Sequence, residues 1–300
     1  EVSDGYATNF LIKNGYAVKY TKTSNEILNR LKNSEVYVVG FDNITYEMVS
    51  VLKNIAKNTK EKNLEKIERA VKIAGEHGAR LVATPETAVQ GYYFHRIDET
   101  RQLEVQPADY LDSLRNTVKE EQVYLLLGCG EYVPETGLHH NSCLVFAPDG
   151  NLQSRHRKIY GEKLGSEKWA SPGEKVSFTV CDGVKVGVLV CADSWFDERP
   201  ASLKEQGAEI IIDIAAWPET PETGNPIPSW IKVNRNTGIP FVVNNQTGKT
   251  KWMDMSIGES VLIQDEEVIC KYSGAEAVLL FDFDVTSKKI LSKEFEVIKL

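Results

Sequence analysis

The chain predicts an α/β protein, with mixed parallel and antiparallel strands in a two-layer sheet and helices outside. Three observations carry that expectation. Short runs rich in Val, Ile and Leu alternate with amphipathic helical segments, the pattern of parallel strands joined by crossovers. Two pairs of strands flank short polar turns and read as antiparallel hairpins. The composition, 42% hydrophobic and 26% charged over 300 residues, is that of a globular protein with room for one large domain or two ordinary ones.

In order, residues 1–45 read as a small βαβ unit, an N-terminal extension set apart from the main domain at 46–300. Its strands are Ala17–Tyr20 and Val36–Gly40, and its helix is Asn25–Leu31. Gly40-Phe-Asp follows a strand but lacks the rest of a dinucleotide fingerprint, so no nucleotide site is assigned. Lys62–Glu76 places Leu64, Ile67, Ala70, Val71 and Ala74 on one face, and His77-Gly78 stops that helix. Ala79–Ala83 is a strand that Thr84-Pro85 breaks, leaving Glu86 at its carboxyl end, where open α/β sheets build their sites. Asp109–Gln122 is a second amphipathic helix and Val123–Gly128 an apolar strand.

Asn141–Phe146 and Asn151–Arg157 form a hairpin around Pro148-Asp149-Gly150 that delivers His156-Arg157-Lys158 at its far end. Val184–Val190 is a buried strand that stops at Cys191. A helix follows Pro200, from Ala201 to Gln206, and Asp193 reads as a cap for it. Strands at Glu209–Ala215 and Phe241–Asn245 enclose a helix at Ser229–Asn236. A second hairpin, Ile257–Ile263 with Glu267–Tyr272, precedes a last strand, Ala277–Phe283, and a charged tail.

Charge and cysteine content narrow the function classes. A net charge of −8, with Lys and Arg scattered among the acids, argues against a nucleic-acid groove. No apolar run reaches the length of about 20 residues that a spanning helix needs. Five irregularly spaced cysteines without a CxxC point away from a disulfide framework or a cysteine zinc site and toward a reducing, cytoplasmic setting. His139-His140 near Glu135 reads as a solvated pair in a polar turn, so no metal is assigned there.

Three residue types thus stand at strand or hairpin ends: Glu86, Lys158 and Cys191. A thiol held at a strand-to-helix turn is surrounded by backbone N–H groups that favour thiolate and can stabilise an oxyanion. It needs a base, which a glutamate can supply, and a partner for developing negative charge, which a lysine can supply. Spacing alone does not place the three side by side. Each also has an ordinary structural reading: a turn carboxylate, a charge that blunts an edge strand, a buried thiol.

At these positions the chain resembles the nitrilase superfamily of carbon–nitrogen hydrolases. Leu81-Val-Ala-Thr-Pro-Glu86, with Gly91-Tyr92 after it, is similar to the family's glutamate motif. Arg157-Lys158 is similar to its lysine motif, and Val188-Leu-Val-Cys191-Ala-Asp193-Ser-Trp to its nucleophile motif. Asn141-Ser142, Glu167 with Pro172-Gly173, Gly207-Ala-Glu209, Asn245-Gln-Thr-Gly248 and Gly258-Glu-Ser260 fall in order between and beyond them, so the match spans about residues 46–285. The resemblance implies an αββα sandwich of two mixed sheets packed face to face. It implies Cys191 as nucleophile, Glu86 as general base, Lys158 as oxyanion stabiliser together with the Ala192 N–H, and Glu167 orienting Lys158 or the substrate, with no metal or organic cofactor. It also implies assembly as a homodimer or larger. It places the family's first strand at Val49–Leu52, with Lys53 where a glutamine is usual, although Met48, Val51, Leu52 and Ile55 also have helical spacing. Asn234-Arg235-Asn236-Thr237 keeps the arginine of a family helix pattern but not its glutamate.

True nitrilases show Trp-Glu directly after the cysteine, whereas this chain has Ala-Asp-Ser-Trp, so a small amide or carbamoyl substrate is expected rather than a nitrile. Tyr92, Phe94, Trp195 and Trp217 are candidates for lining its pocket, and Arg235 for binding a substrate carboxylate. An ammonia-supplying glutaminase, an acyl transferase, or a silent binding protein on the same fold are the alternatives.

Overall fold

The computed structural model describes residues 46–160, 165–221, 224–249 and 252–300, with the backbone alone for 46–59 and 165. The N-terminal unit expected at 1–45 lies outside the described residues.

The first layer pair begins with helix α1 (Tyr46–Glu76), strand β1 (Leu81–Ala83), the short α2 (Phe94–Ile97) and α3 (Asp112–Glu121). Strands β2 (Tyr124–Val133), β3 (Leu138–Phe146) and β4 (Leu152–Arg157) follow. These strands form a four-stranded sheet in the order β1-β2-β3-β4, parallel at β1/β2 and antiparallel beyond. The second begins with β5 (Phe178–Cys181), β6 (Val184–Val190), α4 (Glu198–Glu205) and β7 (Ile210–Ala215). It continues with α5 (Ile227–Thr237), β8 (Phe241–Asn245), β9 (Ser260–Gln264) and β10 (Glu267–Tyr272). Its six strands run β10-β9-β8-β7-β6-β5, with β6, β7 and β8 parallel in the middle and antiparallel strands at the edges.

The alternation of side chains along β2 shows how the layers stack. Leu125 and Leu127 point into a cluster with Leu64, Ile67 and Val71 of α1 and Leu114 and Val118 of α3. Leu126, one residue out of phase, joins Cys143 and Val145 in a different cluster with Val186, Val188 and Ile212 of the six-stranded sheet. That cluster continues through the larger sheet to Leu203 of α4 and Trp230 and Val233 of α5. A strand with a period of two thus faces helices on one side and the other sheet on the opposite side. The result is the expected αββα sandwich. Each fully buried leucine in it stabilises the fold by about 2 kcal/mol before chain entropy is counted.

Four local expectations are corrected. Val49–Leu52 is helical rather than a strand, because the sequence has neither Gly nor Pro between Tyr46 and Ala74 and its helical spacing runs on into Lys62–Glu76. Helix α4 starts before Pro200, not after it, since a proline in the first turn removes an N–H that has no helical partner anyway. The strand expected at Ala277–Phe283 is split into β11 (Ala277–Leu280) and β12 (Phe283–Asp284). The charged tail is no tail: after β13 (Lys289–Ile290), which pairs with β12, β14 (Glu296–Lys299) pairs with β11.

Candidate active site

Glu86 is delivered by the turn after β1. Thr84 is drawn onto β2 by its own N–H to the Leu126 carbonyl and by the Gly128 N–H, which its hydroxyl accepts at 2.9 Å. Gly128 is required there, because a Cβ would sit 2.1 Å from the Pro85 carbonyl oxygen. Close approach of the two backbones turns the next side chain, Glu86, inward, where it is fully buried.

Lys158 follows the end of β4. Its N–H donates to the Asn141 carbonyl, and its own carbonyl accepts from Gly173. Gly173 is a second close approach, since a Cβ would lie 2.3 Å from the Arg157 carbonyl oxygen. Arg157 and Lys158 point in opposite senses, as successive residues of an extended strand do. Arg157 donates to Glu131 at 2.9 and 3.0 Å and stays half-buried, while Lys158 is buried and carries its charge into the sandwich.

There the predicted groups meet. Lys158 Nζ donates to Glu86 Oε1 at 2.7 Å and to the two Glu167 oxygens at 2.7 and 2.8 Å. Asn141 Nδ2 bridges the carboxylates, 2.7 Å from Glu86 and 3.2 Å from Glu167. The Ala216 N–H donates to the other Glu86 oxygen at 3.1 Å, and the Tyr92 hydroxyl donates to Glu167 at 2.7 Å. Two buried carboxylates therefore share one ammonium. Burial raises the Glu86 pKa and the negative Glu167 adds to the rise; Lys158 opposes both, and the balance lies at about 7. Burial alone would strip the proton from Lys158, but the charges of Glu167 and Glu86 outweigh it and hold the ammonium well above its usual range.

Cys191 arrives from the other sheet. It ends β6 and opens a single 3₁₀ turn, Cys191–Trp195, with φ of +51°. Left-handed backbone is strained for a residue with a Cβ, by about 1–2 kcal/mol, and persists only where neighbours fix it. Here the Cys191 N–H donates to Asp213 Oδ1 at 2.5 Å, and the Cys191 carbonyl accepts from the Ser194 hydroxyl at 2.8 Å. The thiol is 6% exposed. Burial and the negative Glu86 push its pKa well up, against the pull of Lys158, so at rest the sulfur keeps its proton. Ala192, next in the turn, is buried as well.

The rest of the expected pocket divides. Tyr92 is in the polar network, and half-exposed Trp195 packs at a tilt of 43° against buried Trp217, ring centroids 5.1 Å apart. Trp217 directly follows Ala216, whose N–H holds Glu86, and its ring lies in the core between Trp195 and Trp230. Phe94 is instead core, packed edge-on to Trp169 at 4.9 Å. Arg235 is not brought to the site: it is 57% exposed on α5 and paired with Glu266, because the face of α5 that meets the sheet is taken by Trp230 and Val233. His140 is buried on β3 rather than solvated in a turn, with its Nδ1 2.9 Å from the Ser171 carbonyl.

Asp193 does not cap α4, which is preceded by Asp197 without a side-chain cap bond. It is buried and joins the two halves of the site. Its carboxylate accepts from the backbone N–H groups of Ile159 and Tyr160, both at 2.9 Å, just past Lys158. It also meets His156 Nε2 at 2.9 Å, Arg199 at 3.0 Å and the Val190 N–H at 3.3 Å. Burial would raise its pKa, yet the His156 hydrogen bond and charge, with the Tyr160 N–H and Lys158, hold it below the usual carboxylate range. Asn141, Asp193 and Asp213 were not assigned to the site from sequence. For Asp213 a signal existed: it is the lone ionisable residue in Ile210–Ala215.

Known proteins similar to this chain point to one family. The chain is 27% identical over 255 residues to omega-amidase NIT2 of Xenopus tropicalis, covering 79% of this chain and 88% of that one. It is 32% identical over 158 residues to a nitrilase of Pyrococcus abyssi, covering 50% and 57%. An amidase from Nesterenkonia sp. superposes with a TM-score of 0.62 at 23% identity, over 71% of this chain and 81% of its own, which supports the fold. Residues 1–28 match the model of the ribosomal protein L9 N-terminal domain. The carbon–nitrogen hydrolase model matches residues 49–282, which include Glu86, Lys158, Glu167 and Cys191, and the chain belongs to that family.

Proposed function

We propose that the protein is an amidase that hydrolyses the C–N bond of a small amide through a thioester on Cys191. Glu86 takes the Cys191 proton, and the thiolate attacks the amide carbonyl carbon. The carbonyl electron pair moves onto oxygen, where Lys158 Nζ and the Ala192 N–H stabilise it. The tetrahedral species collapses, the C–N bond breaks, and the amine or ammonia leaves with the proton from Glu86. Glu86 then takes a proton from water; the resulting hydroxide attacks the thioester carbonyl, the C–S bond breaks, and the thiol is restored with that proton. Glu167 and Asn141 hold Lys158 and Glu86 in register throughout.

One observation carries this reading: Lys158 Nζ lies 2.7 Å from a fully buried Glu86 whose pKa is raised to about 7. A carboxylate near neutrality both accepts and returns a proton at physiological pH. Lys158 has three protons, and its contact with Glu167 spans both oxygens, so one N–H can turn to a substrate oxygen without losing either acid partner. The Xenopus relative is an omega-amidase, and a mutant of the Nesterenkonia amidase shows covalent addition of the acetamide moiety of fluoroacetamide at its active-site cysteine. An amide substrate is therefore favoured over a nitrile, in line with Ala192 to Trp195 after the nucleophile.

The test is a panel of amides, carbamoyl compounds and nitriles with ammonia detection, run beside iodoacetamide labelling with peptide mapping. Ammonia from amides, abolished as Cys191 is alkylated, supports the assignment. Turnover of nitriles above amides, or full activity with Cys191 alkylated, overturns it.

A further inference from the structure

Strand β7 reads Ile-Ile-Ile-Asp-Ile-Ala and is buried along its whole length. An ionisable side chain in such a strand is expensive unless something uses it. Asp213 is fully buried, in register between Leu189 of β6 and Val243 of β8. Its Oδ1 accepts the Cys191 N–H at 2.5 Å, while its Oδ2 has no hydrogen-bond partner. The residue it grips is the one whose backbone is left-handed at φ +51°.

We propose that Asp213 is a positioning residue for the nucleophile, its carboxyl pinning the Cys191 amide so that the strained turn holds Sγ toward Glu86 and Lys158, and doing so as the neutral acid. This inference rests on the amidase reading for its catalytic consequence. The carbonyl oxygen of a neutral acid accepts the amide N–H, and the unpartnered Oδ2 carries the proton. Burial, the largest cause, drives the carboxyl well above its usual range with the help of Asp193 and Glu86 as the nearby acids, outweighing the opposing Ser194 hydroxyl and Cys191 N–H. Neutrality matters because a carboxylate at this place would set a further negative charge beside the thiol and oppose its ionisation. The turn is held from both ends, Asp213 on the N–H and Ser194 on the carbonyl, so the nucleophile's backbone is fixed before substrate arrives.

Two variants separate this from a merely structural role. Asp213→Asn keeps the shape and the acceptor and is uncharged; Asp213→Val suits the buried strand but removes the acceptor. Both are compared with wild type by thermal melting, amidase kcat and KM, and the pH dependence of Cys191 alkylation by iodoacetamide. Asp213→Asn is expected to keep kcat within about threefold, while folded Asp213→Val loses about 100-fold in kcat with KM little changed, the penalty of a misplaced reacting group. Cys191 alkylation is expected to slow in Asp213→Val and be restored in Asp213→Asn. A folded Asp213→Asn that loses more than tenfold in kcat shows that the carboxylate charge is needed and overturns the inference, and it can be measured even if Asp213→Val does not fold. Undiminished alkylation in folded Asp213→Val overturns it too. Because alkylation reads the thiol directly, this outcome is independent of whether an amide is the substrate.

Discussion

The two sheets contribute to the site in opposite ways. The four-stranded side supplies charge: Glu86, Lys158 and Glu167 form a saturated network in which each named oxygen and the ammonium are hydrogen-bonded. The six-stranded side supplies the thiol, still protonated, on a left-handed residue gripped by one buried acid. The proposed mechanism needs both, a base for the thiol and a thiol in line with the base. A rigid electrostatic half and a rigid backbone half, assembled from different sheets, can each be damaged separately.

Removing the thiol is the largest break. Cys191→Ala is expected to lower kcat by at least about 10⁴-fold in an amide hydrolysis assay while leaving the melting temperature close to wild type. Next is the charged half. Lys158→Met should reduce kcat by about 10³-fold, more than it changes KM, because the oxyanion partner acts mainly in the transition state. A Lys158→Met enzyme with wild-type kcat would remove the ammonium from the mechanism.

The joint between the halves is tested by Asp193→Ala, which strands His156, Arg199 and two loop N–H groups. Loss of one partner from a buried ion pair should destabilise the fold by about 3 kcal/mol, read from the denaturant midpoint.

The proton on Glu86 gives a pH prediction with two signs. The base must be ionised, so kcat/KM should fall as pH drops through about 7. Stability moves the other way: the folded state holds this proton more tightly than the unfolded chain does, so the group's contribution is fully present below the usual carboxylate range and is lost as pH rises through about 7. Comparing the pH dependence of unfolding in wild type and Glu86→Gln isolates that contribution; parallel curves would contradict it. The smallest effect is expected at Arg235. Arg235→Ala breaks an exposed pair with Glu266 and should change activity on acidic and neutral amides by less than about twofold and stability by less than about 0.5 kcal/mol.

The three candidate reactive groups were readable in the sequence in both halves. Glu86, Lys158 and Cys191 each sit where a regular element ends, and strand ends are marked by Pro85, by a hairpin turn and by a change from Val and Leu to small polar residues. The layers were readable for the same reason, since a period of two in the strands and of three to four in the helices survives folding. What escaped depends on contacts distant in sequence. Asp193 looks like a helix cap until β4 is known to end beside it, 37 residues earlier at His156. Arg235 looks like a substrate anchor until the opposite face of its helix is seen to be buried. Val49–Leu52 misled through likeness to a family strand, although its own spacing and lack of breakers pointed to helix.

Asp193 also bears on how the protein can change. It ties the loop after Lys158 to the turn that carries Cys191 and, with the Ala216 N–H on Glu86, forms the joint between the two sheets at the site. Trp195, half-exposed and one turn away, is not part of that joint. On the proposed function, libraries aimed at new amides should vary Trp195 and leave Tyr92, which donates to Glu167, alone together with Asp193, His156 and Arg199.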